Sequence, residues 1–186
     1  MNNVGRALRS LADTFERLGL AYAVIGGIAI RTYGIPRPTY DVDFTLSVAR
    51  ERLPEVFAAA EREEFSVPEV YRSGWVDTVA HMPLVKLRFS LRDRGVDADI
   101  FLAETPFQQQ VIQRRRLVET LDGTIWLASP EDVVLLKLLA NRPRDVSDVL
   151  DVLFAQGQLD EEYLRHWAAE LGILSLVERI LTEAGG

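Results

Sequence analysis

The segment TYDVDFTLS (39–47) alternates residue by residue between apolar and polar side chains. Neighbouring side chains of a β-strand point to opposite faces of the sheet. The alternation therefore predicts a strand whose apolar face packs on the core, with Asp41 and Asp43 together on the other face. The apolar positions are Val42, Phe44 and Leu46. The fold alone does not require two carboxylates side by side on a strand, so the pair indicates a functional site.

A second pair of aspartates occurs in PLVKLRFSLRDRGVDADIFLA (83–103), which predicts a hairpin of two strands around a turn at Asp93–Gly95. In the second arm, Asp97 and Asp99 share one face. If this arm lies beside the first strand, three or four carboxylates converge on one patch. The alternative is that the aspartates only cap strand ends in solvent, but two pairs on amphipathic strands favour a site.

Carboxylates this close repel one another unless a cation lies among them. The cation that suits carboxylate oxygens together with substrate phosphates is Mg²⁺. Two such ions, about 3.5–4 Å apart, would clamp an in-line displacement at phosphorus. The aspartate pattern therefore predicts a metal site for phosphoryl chemistry, and it leaves open whether Asp97 or Asp99 supplies the third carboxylate.

A glycine pair, Gly26 and Gly27, separates a predicted buried strand (21–25) from a predicted short helix (28–34). Glycine lets backbone N–H groups approach a phosphate closely, and a helix N-terminus behind them favours negative charge. A plain turn is the alternative for a glycine pair on its own. Together with the aspartates that follow, the pair favours phosphate binding.

Lys137 is the only charge in VVLLKLLA (133–140), which predicts a helix that is apolar all round. Lysine is almost never buried without a partner, so its ammonium should reach an anion. The alternative is a lysine whose stem lies on apolar surface while its ammonium stays in water.

The next segment, NRPRDVSD (141–148), adds Arg142, Arg144, Asp145 and Asp148 close to Lys137. Its proline breaks the helix, and Asp145 at the start of a new helix could be only an N-cap.

The composition limits the class of protein. The 186 residues, 48% of them apolar, suit one domain with a small appendage, and the absence of cysteine excludes disulfides and thiolate zinc sites. No segment approaches the roughly 20 apolar residues of a membrane span. A net charge of −7 is the wrong sign for nucleic-acid binding over the whole surface. The one basic cluster, Arg114 to Arg116, is expected to be a solvated helix end.

The remaining periodicity predicts a mixed α/β (α+β) unit over 1–128 and a packed helical region over 129–186. In the first part, helices are predicted up to Gly19, over 50–63 and from Pro106 to Arg116, with a strand at 124–127. In the second part, helices are predicted at 130–141, 145–155, 160–171 and 173–184. His81 and His166 are expected to be structural or surface residues.

These segments together resemble the nucleotidyltransferase superfamily typified by DNA polymerase beta. The nearer resemblance is to its minimal bacterial members, the AbiEii-like nucleotidyltransferases, which include toxins of type IV toxin–antitoxin systems. It covers about residues 20–155, in GGIAIRTYG, RPTYDVDF, DADIFLAETPF and SPEDVVLLKLLANRPRDVSDV. It implies the nucleotidyltransferase fold, in which helices flank a small mixed β-sheet and a C-terminal helical bundle follows.

The resemblance also implies a role for each matching residue. Phosphate-binding glycines fall on Gly26 and Gly27, and metal-binding aspartates fall on Asp41, Asp43 and Asp99. Two further catalytic positions fall on Lys137 and Asp145. The remaining nucleotide contacts fall on Arg37, Thr39 and Arg142.

The implied activity is Mg²⁺-dependent transfer of a nucleoside monophosphate from an NTP to a hydroxyl group of a tRNA, a protein or a small molecule. Two ions and a cytoplasmic location are expected, and so is an antitoxin partner protein. The alternative is a non-catalytic module of the same fold that binds nucleotide or a partner protein. The complete carboxylate set favours the enzyme, because a site without catalytic activity would not be expected to retain clustered charges.

Overall fold

The structure, a computed structural model, describes residues 2–72, 75–76, 82–91, 94–120 and 123–185. Its strands are β1 (Ala21–Ile25), β2 (Asp41–Ser47), β3 (Phe65–Ser66), β4 (Trp75–Val76), β5 (Pro83–Leu91), β6 (Arg94–Leu102), β7 (Arg116–Thr120) and β8 (Gly123–Leu127). Its helices are α1 (Asn3–Arg17), α2 (Gly26–Tyr33), α3 (Leu53–Glu61), α4 (Pro106–Arg114), α5 (Pro130–Ala140), α6 (Asp145–Gln156), α7 (Glu161–Glu170) and α8 (Leu174–Gly185).

Within the described part of the chain, the strands form one mixed sheet in the order β3-β5-β6-β2-β1-β8-β7. Strand β4 pairs with the outer edge of β5. The central strand β2 runs antiparallel to β1 and parallel to β6. The register places Asp41 opposite Asp97 and Asp43 opposite Asp99. The two aspartate pairs therefore lie on neighbouring strands, as expected.

The apolar face of β2 lies in the core, as its alternation predicts. Val42, Phe44 and Leu46 are fully buried. The ring of Phe44 meets those of Phe15 on α1 and Tyr22 on β1 edge-on, with centroids 5.3 and 5.8 Å apart. This packing fixes the orientation of β2 and hence the direction of its aspartates.

Helix α1 forms as its periodicity predicts, because Asn2 caps it and its apolar stripe is buried. The Asn2 side chain accepts a hydrogen bond from the Gly5 backbone at 2.8 Å. The chain leaves the helix at Gly19, whose φ of +65° suits glycine.

Some predicted boundaries are wrong. The helix predicted over 50–63 is shorter, because Arg50–Arg52 form a separate 3-10 turn and α3 runs from Leu53 to Glu61. Helix α2 begins at Gly26, not after the glycine pair, because the glycines themselves form its first turn. The helix predicted up to Arg116 ends at Arg114, and Arg116 begins the unpredicted strand β7. Strand β7 is an exposed edge strand without a clear apolar alternation, so the sequence carries no strong sign of it. Of the turn predicted at Asp93–Gly95, Gly95 lies within β6, and residues 92–93 lie outside the described residues.

The four C-terminal helices form within two residues of their predicted bounds and pack against α2 and α4. The Gln156 side chain of α6 donates to the Tyr33 carbonyl of α2 at 2.8 Å. Trp167 of α7 packs on Phe107 of α4, with ring centroids 5.3 Å apart. The division of the chain into units 1–128 and 129–186 remains a prediction. Among the described helices, none is both long enough and apolar enough to cross a bilayer.

The expectation that the basic cluster is a solvated helix end is wrong. Arg114 pairs with buried Glu131 at 3.0 Å, and its guanidinium lies 3.7 Å from the ring centre of Tyr163. Arg115 lies over the ring of Trp126. The cluster holds α4 to α5 and α7, because an acidic residue buried at the start of α5 requires a cation.

Candidate active site

A cleft of about 250 Å³ lies between the edge of the sheet at β2 and β6 and the helices α5 and α6. All ten residues singled out by the resemblance line it. On the sheet side lie Asp41, Asp43 and Asp99, here called the carboxylate wall. On the helix side lie Arg37, Lys137, Arg142 and Arg144, here called the basic wall. The cleft thus presents opposite charges on facing surfaces.

The glycine pair is required by the packing of this cleft. Gly26 has a φ of +62°, and a Cβ added to it would overlap the carboxylate of Asp43. A Cβ on Gly27 would lie 2.5 Å from the Thr39 hydroxyl oxygen. A larger side chain would displace Asp43 at position 26 and Thr39 at position 27, so the packing of the cleft requires glycine at both positions.

Asp43 is the most perturbed acid of the cleft. Burial, the largest cause, and the negative charges of Asp41 and Asp99 raise its pKa to about 7, against the opposing effects of Lys137 and a hydrogen bond from the Gly27 backbone. The side chain is half-buried and lines the cleft. Three carboxylates therefore act on one another electrostatically.

Asp41 is exposed at the mouth of the same cleft. The Thr39 hydroxyl donates to its Oδ1 at 2.9 Å. Thr39 thus orients the first aspartate, a contact that spacing alone does not reveal.

The structure separates the two candidates for the third carboxylate. Asp99 lines the cleft, and its side chain is 24% exposed. Asp97 does not line the cleft, is 62% exposed and pairs with Arg88 at 2.6 Å. Since both aspartates share one strand face, only the position of the cleft along β6 decides between them.

Lys137 reaches anions on α6 rather than solvent. Its ammonium lies 2.9 Å from Asp145 Oδ1 and 2.9 Å from Asp148 Oδ2, and its side chain is 14% exposed. Its positive charge also acts on Asp43. The account of a lysine with its ammonium in bulk water is wrong, because the helix packs the stem among apolar residues and two aspartates meet the ammonium.

Asp145 does more than start a helix. It is the first residue of α6, Arg144 takes the N-cap position, and the Asp145 carboxylate accepts a hydrogen bond from the Arg142 backbone at 3.0 Å while pairing with Lys137. It therefore joins α5 to the loop that carries the arginines.

Asp148 pairs with two cations of the basic wall, Lys137 and Arg37. Arg37 donates to both of its oxygens at 2.7 Å, next to the bond with Lys137. Burial opposes its ionisation, but the two cations outweigh it and hold the pKa of Asp148 below its ordinary value. Arg37 is thereby tied to the helices, in addition to its place in the cleft.

Arg142 and Arg144 differ from the other two cations of the basic wall. Within the described part of the chain, neither side chain forms an ion pair with a carboxylate, and both are exposed at the cleft. Two uncompensated cations are thus available to an anionic ligand.

Two further side chains act on the residues of the cleft, although the sequence predicts no role for them. Lys86 pairs with Asp99 at 2.6 Å, and Asp148 joins Arg37 to Lys137. The alternation of Lys86 and Arg88 along the first hairpin arm, opposite the alternating aspartates of the second arm, is the signal that could have identified Lys86. The sequence places Asp148 close to Lys137, but it carries no signal for the pairing with Arg37, which is distant in the chain.

Among the described residues, no three acidic or histidine side chains already form a metal centre. The donors nevertheless fit a hard cation. The carboxylate wall offers only oxygen ligands. Burial and the mutual repulsion of the wall raise the pKa of Asp43, and a bound cation would offset that repulsion. His81 lies outside the described residues, and His166 is exposed on α7, so neither belongs to the described cleft.

Solved structures similar to this one are nucleotidyltransferases. The structure of ANT(2")-Ia in complex with adenylyl-2"-tobramycin has a TM-score of 0.59 at 15% identity, and the match covers 98% of this chain and 99% of that chain. An antigenic nucleotidyltransferase-like protein from Paracoccidioides brasiliensis has a TM-score of 0.55 at 18% identity, covering 96% and 94%. A lincosamide antibiotic adenylyltransferase, lincomycin-bound, has a TM-score of 0.53 at 16% identity, covering 84% and 99%.

At these identities the similarity establishes the fold. No curated protein sequence matches the chain. The family model described as "Nucleotidyl transferase AbiEii toxin, Type IV TA system" matches residues 6–172, nearly the whole chain. The protein, a nucleotidyltransferase, belongs to the AbiEii family of type IV toxin–antitoxin systems.

Proposed function

We propose that the chain transfers a nucleoside monophosphate from an NTP to a hydroxyl group of an acceptor and releases pyrophosphate, with Mg²⁺ in the cleft. The observation that carries this proposal is the opposition of the two walls. An NTP is a polyanion that needs cations along its phosphates, whereas its reacting phosphorus needs metal ions held by carboxylates. One cleft here offers both.

The triphosphate is proposed to lie along the basic wall. Arg142 and Arg144 face the cleft without a carboxylate partner among the described residues, so their guanidinium groups can bind phosphate oxygens directly. Lys137 is shared between Asp145 and Asp148, and it can turn toward a phosphate without leaving a buried cation alone.

The first turn of α2 is proposed to bind the phosphate nearest the reacting centre. Gly26 and Gly27 bring backbone N–H groups to the cleft beside Asp43, and the helix dipole favours an anion there. Thr39 keeps Asp41 oriented, and Arg37 closes the same side of the cleft.

Asp41, Asp43 and Asp99 would hold the metal ions. When bound, Mg²⁺ would neutralise the charge that develops on the phosphate oxygens and lower the pKa of the attacking hydroxyl. Asp99 would accept the proton of that hydroxyl as it attacks the α-phosphorus, while the bond to the pyrophosphate oxygen breaks. Asp145 would act as a positioning residue for Lys137 and for the Arg142 loop.

The acceptor is proposed to be a hydroxyl of a tRNA, a protein or a small molecule. Similar folds occur in proteins named for adenylyl transfer to antibiotics, which supports a small acceptor, and the family supports a toxin that an antitoxin protein neutralises. A cytoplasmic location is proposed with it, because the reaction consumes NTP.

The test is incubation of the chain with a cell lysate, Mg²⁺ and each of the four NTPs labelled at the α-phosphate. The proposal expects one labelled species with the wild-type chain, and none with Asp41→Asn or with EDTA. The same experiment identifies the acceptor by the size and chemistry of the labelled species. Absence of label with every NTP and several lysates, including one from a cell that encodes the chain, would contradict the proposal.

A further inference from the structure

One member of the carboxylate wall is held by a lysine that does not itself line the cleft. The Lys86 ammonium donates to Asp99 Oδ2 at 2.6 Å. Lys86 stands opposite Asp99 in the pairing of β5 with β6, and Asp99 stands opposite Asp43 in the pairing of β6 with β2. The three residues form a row across neighbouring strands, with the cation at its outer end.

The charge of Lys86 acts along this row. Its ammonium contacts Asp99 directly, and Asp99 lies beside Asp43 in the register of β6 with β2. The ammonium therefore compensates part of the negative charge of the cleft from behind.

A matched pair two residues away shows what the sheet requires on its own. Arg88 pairs with Asp97 across the same two strands, also at 2.6 Å. Both side chains of that pair are more than half exposed, at 53% and 62%, and neither lines the cleft. Cross-strand charge pairing explains both pairs equally. The difference is that Asp99 faces the cleft.

We infer that Lys86 is a positioning residue for nucleotidyl transfer: its ammonium occupies Oδ2 of Asp99 and leaves Oδ1 as the single oxygen directed to the reacting groups. Among the described side chains, none donates to Oδ1 of Asp99. An outer partner that fixes the orientation of a ligand carboxylate is a recurrent feature of metal sites. This inference rests on the proposed function, because Asp99 needs an orientation only if it takes part in the reaction.

The removal of Lys86 has two opposite consequences. Without the ammonium the carboxylate wall carries one more uncompensated negative charge, so a divalent cation binds more tightly. Without the bond to Oδ2 the Asp99 carboxylate rotates, so transfer slows. Tighter metal binding combined with slower transfer is a result that a purely structural role would not give.

The test compares Lys86→Met with Arg88→Met. Binding of Mn²⁺ to the protein without nucleotide is measured by the loss of the free Mn²⁺ signal in electron paramagnetic resonance, and the rate and KM for NTP are measured by transfer of labelled nucleotide in lysate. Lys86→Met is expected to bind Mn²⁺ about 3–10-fold more tightly. Its rate at saturating NTP should fall about 10–100-fold with KM unchanged. Arg88→Met should match the wild type in both.

A Lys86→Met protein that matches Arg88→Met in both measurements would overturn the inference. Tighter Mn²⁺ binding with an unchanged rate would also overturn it, because Lys86 would then supply only charge. If the wild-type chain neither binds Mn²⁺ nor transfers label, the proposed function fails first, and the inference with it.

Lys86→Arg keeps the test decisive if Lys86→Met does not fold, as judged by circular dichroism. Arginine retains the charge but donates from a different point. Lys86→Arg should therefore keep the wild-type affinity for Mn²⁺ and lose part of the rate, and a full wild-type rate would count against a fixed orientation of Asp99.

Discussion

The two walls of the cleft handle charge in opposite ways. On the carboxylate wall, Asp41, Asp43 and Asp99 crowd together, and the pKa of Asp43 rises to about 7. On the helix side, Lys137 and Arg37 are paired with Asp145 and Asp148 at 2.7–2.9 Å.

Among the described residues, one cation, Lys86, pairs with the carboxylate wall, whereas the basic wall is almost neutralised by Asp145 and Asp148 except at Arg142 and Arg144. The comparison shows an excess of negative charge on the sheet side, whereas on the helix side only Arg142 and Arg144 lack a carboxylate partner among the described residues.

The largest effect is expected at the first aspartate of the carboxylate wall. Asp41→Asn should abolish transfer of labelled nucleotide, a loss well above the ~10–100-fold cost of an outer partner, because a neutral amide is a poor ligand for Mg²⁺. Asp41 is exposed, so the free energy of unfolding should stay nearly unchanged or rise slightly as repulsion falls. Transfer that persists in Asp41→Asn would show that the reaction does not require this aspartate of the carboxylate wall. Asp97→Asn is the matched control outside the cleft and should retain activity.

The next effect is expected on the helix side. Lys137→Met leaves Asp145 without its cation in a place where its side chain is 5% exposed, so the protein should lose about 3 kcal/mol of stability in urea unfolding. The affinity for triphosphate should fall by about 1.5–3 kcal/mol in calorimetric titration, while monophosphate binding changes less.

The double variant Lys137→Met, Asp145→Asn separates the two effects of that lysine. It removes the stranded charge and should recover part of the stability, but not the affinity for triphosphate. If it recovers both, Lys137 does not bind the phosphates. Equal losses for ATP and AMP in the single variant would lead to the same conclusion.

A smaller effect follows from the raised pKa of Asp43. Its folded pKa of about 7 lies above its ordinary value of 3.8, so the folded state binds more protons than the unfolded state between these values. Stability without metal should therefore fall as the pH rises from about 4 to about 7, with a slope of at most roughly 1.4 kcal/mol per pH unit from this one carboxyl group.

Asp43→Asn should remove this slope in urea unfolding with EDTA present. The difference between Asp43→Asn and the wild type should be small near pH 4 and largest above pH 7. Asp97→Asn should keep the wild-type slope. A wild-type slope in Asp43→Asn would show that the pKa of Asp43 is not raised in the folded protein.

The smallest effect is expected at an ion pair outside the cleft. Arg50 pairs with Glu104 at 2.5 Å, with both side chains at least one-third exposed. Arg50→Met should cost about 0–1 kcal/mol in urea unfolding and leave NTP binding unchanged. A cost similar to that of Lys137→Met would mean that burial in the cleft adds nothing to an ion pair.

Local pattern was sufficient to predict the elements that carry the cleft. The alternation of β2 predicted its buried face and its two aspartates, and the isolated charge of Lys137 predicted that the lysine meets an anion. Both predictions depend on neighbours within a few residues, where the period of a strand or helix is decisive.

The predictions that failed, and the choice that stayed open, depend on contacts distant in the chain. Asp97 and Asp99 have the same periodicity, and only the position of α5 over the sheet makes one of them part of the cleft. Arg114 looked solvated because its partner Glu131 lies on another helix. The edge strand β7 has little apolar pattern to detect, since most of its residues face water.

The most direct test of a metal-dependent nucleotide site is the melting temperature of the wild-type chain with NTP plus Mg²⁺ and with NTP plus EDTA. At about 100 times the dissociation constant, ligand binding adds roughly 2.7 kcal/mol, which for a chain of this size corresponds to about 5–10 °C. The account predicts that shift with Mg²⁺, almost none with EDTA, and none for Asp41→Asn in either condition. An equal shift with Mg²⁺ and with EDTA, or a shift that survives in Asp41→Asn, would contradict it.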